Sequence, residues 1–330
     1  MNTSSTRRAG LRMLAATGAL CLGVCAHAQT YPTKPIQFIV PFPAGGATDT
    51  VARLLAEKMG KGLGQTIIVD NKGGAAGILG TDMVAKAPAD GHVVTVSLST
   101  ALLINQFLFK KLPYNPQRDL TLVSQIAVAP IVLLVHPSVP ANNASELLKY
   151  IAANKGTLSY GSWGIGSAGH LSGAHLSQMQ NADMSHVPYK GEAPMMQDLI
   201  GGQIKLSFAS ALQAKPFVDA GKLKAIGVTG EKRMSVLPNV PTLLEQGLKD
   251  DVFRITGWVA MAAPAATPKA VVQRLADEVR AACALPDVRE RIIAMGFDPV
   301  ARGPEEFAAV YKKDLPVWER LVKQTGATLD

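Results

Sequence analysis

The stretch Ile36-Gln37-Phe38-Ile39-Val40-Pro41-Phe42-Pro43-Ala44-Gly45-Gly46-Ala47-Thr48-Asp49 decides how the chain is read. It opens as a short apolar run and continues as a loop of Pro, Gly and Ala. From Asp49 onward, apolar side chains recur at Val51, Leu54, Leu55 and Met59, the spacing of an amphipathic helix. Strand, small-residue loop and helix in that order are half of a βαβ unit. Gly60, Gly62 and Gly64 stop the helix, and the pattern repeats with a strand at 66–69, the loop Asn71-Lys72-Gly73-Gly74, a helix over 77–86 and a strand at Val93–Leu98.

Past Pro130 the same grammar restarts. Strands are expected at Ile131–Val135, 158–160, 186–188, 206–209 and 225–228, with helices at 145–154, 167–179 and Glu192–Ile200. A strand at 258–263 reads as a return to the first half, followed by helices at Lys269–Ala284, 286–295 and 304–324. Strands alternating with helices predict parallel βαβ units and an α/β fold of two lobes. The joining segments are expected as extended chain near 125–135 and 253–263, which makes a hinge with a ligand cleft beyond the carboxyl ends of the strands. The expected domains are 29–128 with 254–330, and 129–253.

Of 330 residues, 48% are apolar and 18% charged, and the 30 Gly and 21 Pro are scattered, which excludes disordered, collagenous and coiled-coil classes. Arg7, Arg8 and Arg12, the apolar run 14–24 and Ala26-His27-Ala28 have the layout of a secretory signal peptide over 1–28, cleaved after Ala28. Leu20 and Val24 before Cys21 and Cys25 are too bulky for lipoprotein processing. Removing 1–28 takes away three Arg, so the mature chain is only mildly basic and no nucleic-acid partner is expected. Cys283 is then the one cysteine left, in a helical pattern where a buried inert thiol is expected, so no intrachain disulfide holds the mature protein. The product is expected to be soluble and exported.

The loop from Pro41 to Asp49 admits two readings. Small residues let a ligand approach the backbone, and the helix behind them offers unpaired N–H groups and a positive dipole end, an anion site suited to a carboxylate. The other reading is a structural turn with Asp49 as a helix cap. A second loop, Gly164-Ile165-Gly166-Ser167-Ala168-Gly169, matches the dinucleotide fingerprint G-x-G-x-x-G. Its mid-chain position, and the strand at 186–188 that ends without an acid, argue against a nucleotide. It reads as a tight turn or as a second anion-facing helix start with Ser162 and Ser167 as donors. His170 and His175 are off the i,i+4 register of a zinc pair, and no G-x-S-x-G elbow occurs. No catalytic residue, metal or cofactor is expected. Tyr189 and Lys190, at a strand end, are candidates to reach the cleft.

A set of ordered motifs runs through the chain. They are Tyr31-Pro32 with Lys34-Pro35-Ile36, the 40–46 loop with Asp49, Ala52 and Arg53, Ala87-Pro88-Ala89-Asp90-Gly91, Leu112-Pro113-Tyr114-Asn115-Pro116, Tyr160-Gly161-Ser162 with Gly164 and Gly166-Ser167, His186-Val187-Pro188-Tyr189-Lys190-Gly191, and Leu237-Pro238-Asn239-Val240-Pro241-Thr242. Together they resemble the Bug family of periplasmic solute-binding proteins, the extracytoplasmic receptors of tripartite tricarboxylate transporters.

The resemblance implies a two-lobed periplasmic binding protein fold, type II-like, that closes on a small organic carboxylate and delivers it to membrane permease subunits. It also implies ligand-binding residues Phe42, Ala44, Gly45, Gly46, Asp49, Ser99, Ser162, Gly166, Ser167 and His170. Two departures stand out. Asn71-Lys72-Gly73-Gly74-Ala75 replaces the family's usual Asn-Arg-Pro-Gly-Ala, and Ala209 follows Phe208 where members often carry Asp. The second points to a plain mono- or dicarboxylate rather than an amino acid. A sensory protein of the same fold, signalling to a membrane kinase, is the alternative.

Overall fold

The computed structural model describes residues 31–329. The signal-peptide assignment, with cleavage after Ala28, lies outside those residues.

Two mixed sheets organise the chain. The first runs β11-β4-β10-β3-β1-β2. Here β1 (Ile36–Val40), β2 (Ile67–Asn71) and β3 (Val93–Leu98) are parallel, β10 (Gly257–Pro264) is antiparallel to both β3 and β4 (Leu120–Ala129), and β11 (Asp298–Arg302) is antiparallel to β4. The second sheet runs β7-β6-β8-β5-β9. In it β6 (Ser159–Ser162), β7 (Ser185–Pro188) and β8 (Leu206–Ser210) are parallel, while β5 (Ile131–Val135) is antiparallel to β8 and β9 (Lys224–Val228). Across each sheet the strands of its own lobe run second, first, third, then the strand arriving across the junction, then the fourth, and the first sheet adds β11 outside β4.

The parallel βαβ units expected are β1–β3 and β6–β8, and the arriving strands add antiparallel pairs to each sheet. A strand that enters a sheet from the other lobe does so without a covering helix of its own, so nothing imposes the parallel direction of a βαβ crossover. Both are shielded on both faces: every residue of Ile-Val-Leu-Leu-Val in β5 is buried, as is Trp258 to Pro264 in β10.

The segment 125–135 is extended as read from the sequence, and 253–263 is extended from 255 onward. Residues 120–129 are a strand, broken from β5 only by Pro130, which has no N–H to give the ladder. On the return path a short helix, Asp251–Arg254, leaves only Ile255 and Thr256 before β10. Two further elements were not expected. The helix Ala211–Asp219 carries Pro216 inside it, and β11 carries Pro299, tolerated because β11 is an edge strand.

The core crosses between the sheets. One apolar cluster includes Ile39 and Trp258 of the first sheet, Leu133 and Phe208 of the second, and Leu171 and Leu176 of the helix Ala168–Met179. The C-terminal helix Pro304–Thr325 contributes Phe307, Trp318 and Leu321 to it, Phe307 packing edge-on to Trp258 at 5.0 Å. The same helix is tied to the second lobe, where Gln178 Nε2 donates to the Gln324 carbonyl at 2.9 Å and Arg320 Nη2 meets Asp250 Oδ1 at 3.1 Å.

Candidate functional site

The loop after β1 leads into the helix Ala47–Leu63 with Gly46 as its N-cap residue. Glycine has no side chain with which to cap, so the first-turn N–H groups receive nothing from it and the positive end of the helix dipole lies open. Ala44, Gly45 and Gly46 are exposed, and Gly45 has φ of 83°, a conformation that favours glycine. Phe42 is half-buried, its ring against Gly77, where an added Cβ would come within 3.2 Å of Phe42 Cζ.

Asp49, only 3% exposed, spends its carboxylate inside this loop. Oδ2 accepts from the Gly45 N–H at 2.8 Å and from Arg53 Nε at 3.0 Å, and Oδ1 accepts from Asn71 Nδ2 at 3.0 Å. Asn71 Nδ2 also donates to the Phe42 carbonyl at 3.1 Å, and Arg53 Nη2 donates to Asn71 Oδ1 at 3.0 Å. Burial pushes the Asp49 pKa up, but the bonds from Arg53, the Gly45 N–H and Asn71 outweigh it and hold the carboxyl below its ordinary value. Asp49 therefore anchors the loop from the third helical position rather than capping the helix it sits in.

The loop after β6 is built on rings. Ser162 is fully buried, and its Oγ lies 2.7 Å from His186 Nε2, donates to the Gly164 carbonyl at 3.0 Å and accepts from the Gly164 N–H at 3.3 Å. His186 stacks on His170 at 3.9 Å and on Tyr160 at 5.0 Å. His170 Nδ1 accepts from the Gly166 N–H at 3.1 Å, and its own N–H donates to Ser167 Oγ at 3.2 Å, which caps the helix Ala168–Met179. Burial lowers the pKa of His170, while burial and then the neighbouring His170 bring His186 down to about 4. Near neutral pH both rings are uncharged, which keeps His170 Nδ1 an acceptor.

Gly166 brings the lobes together. Its φ is 75°, and a Cβ added there would fall 2.5 Å from Cδ1 of Leu108, in the segment that follows β3. Ser99 lies at the end of β3, 4% exposed, where a Cβ on Gly257 would come 3.5 Å from its Oγ.

The ten residues expected at the site thus divide. Ala44, Gly45 and Gly46 line the surface, Phe42 and Ser167 are half-buried at its edge, Asp49, Ser162, Gly166 and His170 are buried within the two loops, and Ser99 is buried beside Gly257. Arg53, Asn71, His186 and Tyr160 belong to the same supports and were not named as site residues. Tyr189 turns its hydroxyl to Asp198 Oδ2 at 2.7 Å, while Lys190 is exposed. A separate recess of about 520 Å³, lined among others by Pro130, Gly230, Arg254, Asp298 and Asp314, lies on the β4 and β9 side and includes none of the expected site residues.

The Ser162–His186 contact has the length of a nucleophile–base pair. A fully buried hydroxyl cannot meet a substrate, however, and a histidine with pKa near 4 is a poor base at neutral pH. What the arrangement offers is two helix starts, at Ala47 and Ala168, each behind a rigid loop of small residues.

Comparison with known proteins agrees with that geometry. The family described as "Tripartite tricarboxylate transporter family receptor" matches residues 51–327. Protein BugT of Bordetella pertussis is 32% identical over 323 residues, covering 96% of this chain and 98% of its own. The solved periplasmic binding protein BugD is 36% identical with a TM-score of 0.73, covering 90% of this chain and 99% of that one. The R. palustris protein Rpa4515, solved with adipate, is 31% identical with a TM-score of 0.77, covering 91% of this chain and all of that one. These relatives are solute-binding receptors rather than enzymes. With a receptor's two-lobed fold, one helix start uncapped and one capped by Ser167, and a family match over most of its length, the chain belongs to the tripartite tricarboxylate transporter receptor family, the Bug family of periplasmic solute-binding proteins.

Proposed function

We propose that this receptor captures a small organic carboxylate between the loops at 42–49 and 162–170 and delivers it to the membrane permease subunits of a tripartite transporter. The observation that carries the reading is the pair of helix starts: Gly46 leaves the first N–H groups of Ala47–Leu63 uncapped, and Ser167 places a hydroxyl at the start of Ala168–Met179. Backbone amides and a hydroxyl hold an anion without a countercharge that would have to be desolvated, which suits a ligand that must also be released.

In this reading the lobes 29–128 with 254–330, and 129–253, swing together on the ligand, and the mature protein begins at Gln29 and works as a monomer in the periplasm. Adipate, the ligand of the relative Rpa4515, sets the size class to try first. A thermal-shift screen of organic acids on the mature protein, followed by calorimetry of the best acid and its neutral amide, tests the proposal. The amide is expected to bind at least tenfold more weakly. Equal affinities would remove the anion site, and absence of binding to every acid would remove the receptor's ligand class.

A further inference from the structure

Glu192 is a side chain the proposed function does not use. It opens the helix Glu192–Ile200, which follows β7, and its carboxylate reaches across to the end of β8. There Oε1 accepts from the Ser210 N–H at 3.0 Å, and Oε2 lies 2.5 Å from Ser210 Oγ. Ser210 is the N-cap of the helix Ala211–Asp219, its Oγ also within 3.4 Å of the Gln213 N–H. The acid therefore sits on another helix start of the second lobe, that of Ala211–Asp219, in the position an anion would take there.

The register locates it relative to the candidate site. β6 and β8 are adjacent and parallel, with Tyr160 opposite Leu206 and Gly161 opposite Ser207. β6 ends at Ser162 and β8 at Ser210, so the glycine loop and the Ser210 helix start leave neighbouring strands at the same end of the sheet. On the other side the Tyr189 N–H donates to the Ser162 carbonyl at 2.9 Å, so the end of β7, just before Gly191 and Glu192, is at the same height. β6, β7 and β8 point the same way, and their carboxyl ends form one wall. On that wall the glycine loop offers amides, while the neighbouring helix start already carries a carboxylate.

We propose that Glu192 is a specificity-determining residue that bars ligands bearing a second carboxylate against this wall, so that the receptor selects acids with one carboxylate and an uncharged remainder. The proposal rests on the carboxylate reading above. Burial pushes the Glu192 carboxyl above its ordinary value while the bonds from Ser210 draw it back. Ionised, it repels a second ligand carboxylate, which also finds Ser210 N–H and Oγ taken, whereas an alkyl or aryl end loses neither attraction nor partners. Ala209, apolar and fully buried between Phe208 and Ser210, adds no cation there, and Lys190, two residues before Glu192, is exposed.

Hexanoate and adipate, equal in carbon number and differing in one carboxylate, are the probes, within a panel of straight-chain mono- and diacids of neighbouring lengths. Calorimetry on the mature protein is expected to give a monoacid preference of at least tenfold. Glu192→Gln, isosteric and able to keep the Ser210 contacts, is expected to shrink that preference at least fivefold by strengthening diacid binding. Ser210→Ala, which leaves the carboxylate in place, is expected to keep the preference and serves if Glu192→Gln does not fold. Diacids that bind the wild type as tightly as monoacids, a ratio unchanged by Glu192→Gln, or a preference lost in folded Ser210→Ala would each overturn the filter and leave the receptor reading standing. No binding by any acid of either kind would overturn both.

Discussion

Replacing Asp49 by Asn separates a loop anchor from a mere helix residue. The change keeps the shape, but it removes the charge and turns one acceptor into a donor. If the amide oxygen takes the place of Oδ2, it keeps the Gly45 N–H bond as a neutral one and the Arg53 bond with charge on the guanidinium alone, and the new NH₂ confronts Asn71 Nδ2 across 3.0 Å. Asn71 cannot turn over to rescue the contact, because its Nδ2 serves the Phe42 carbonyl and its Oδ1 serves Arg53. Bonds to a charged partner are worth about 1.5–3 kcal/mol and neutral ones about 1, and a buried donor left unpaired costs about 1–3. Arg53 is half exposed and recovers water, which trims the total, so the expected loss is about 2–3 kcal/mol of stability. Because the lost bonds fix Phe42 and Gly45, carboxylate affinity is expected to fall at least tenfold in protein that is still folded. Urea unfolding and calorimetry on the variant check the two halves. Stability within about 0.5 kcal/mol of wild type, together with unchanged affinity, would refute the argument that this network holds the loop.

Gly166→Val is expected to weaken carboxylate binding at least tenfold, since φ of 75° resists a β-branched residue and the added Cβ would strike Leu108; wild-type affinity in calorimetry would contradict it. Acidification should destabilise the protein through its buried histidines. His186, at about 4 when folded against about 6.5 unfolded, contributes stability that is complete above about 6.5 and is lost as pH falls toward 4. Asp314, pushed up to about 6 by burial, works in the opposite sense between about 4 and 6, so a Tm profile should fall less steeply in that range, and His186→Gln should flatten it further. Cys283, buried with its thiol pushed up to about 12, is expected to resist maleimide in the folded protein and to react in urea, as mass spectrometry would show.

The strands and helices whose edges were legible are those bounded by strong signals. Glu192–Ile200, ending at Gly201-Gly202, and Lys269–Ala284, flanked by Pro268 and a second helix, carry unbroken periodicity and obvious stops. β4 was read as linker because its end is marked by Pro130 and its apolar residues merge with those of β5; only the pairing with β10 makes Leu120–Ala129 a strand. Ala211–Asp219 was hidden by Pro216 and β11 by Pro299, residues whose usual meaning tertiary packing overrides. At the site, local patterns revealed both loops because small residues before a helix are a short-range signal. The supports were not legible: Asn71 reaches Asp49 from another strand, and His186 meets Ser162 and His170 across the β6–β7 pair. Such contacts depend on sheet order, which no local window contains.

The place of β10 between β3 and β4 constrains how the protein is made. A chain halted at Ala129 holds β3 and β4 but not the strand that joins them, so it carries two open edges facing an empty lane. The missing strand arrives only after every strand of the second sheet has been passed, and inserting it closes a loop that spans that entire lobe. The first lobe therefore cannot mature ahead of the second in N-to-C order, despite beginning first. β10 acts as a keystone: the two lobes are obliged to be born together, and slow, non-local assembly is the cost of joining them by two strands instead of one.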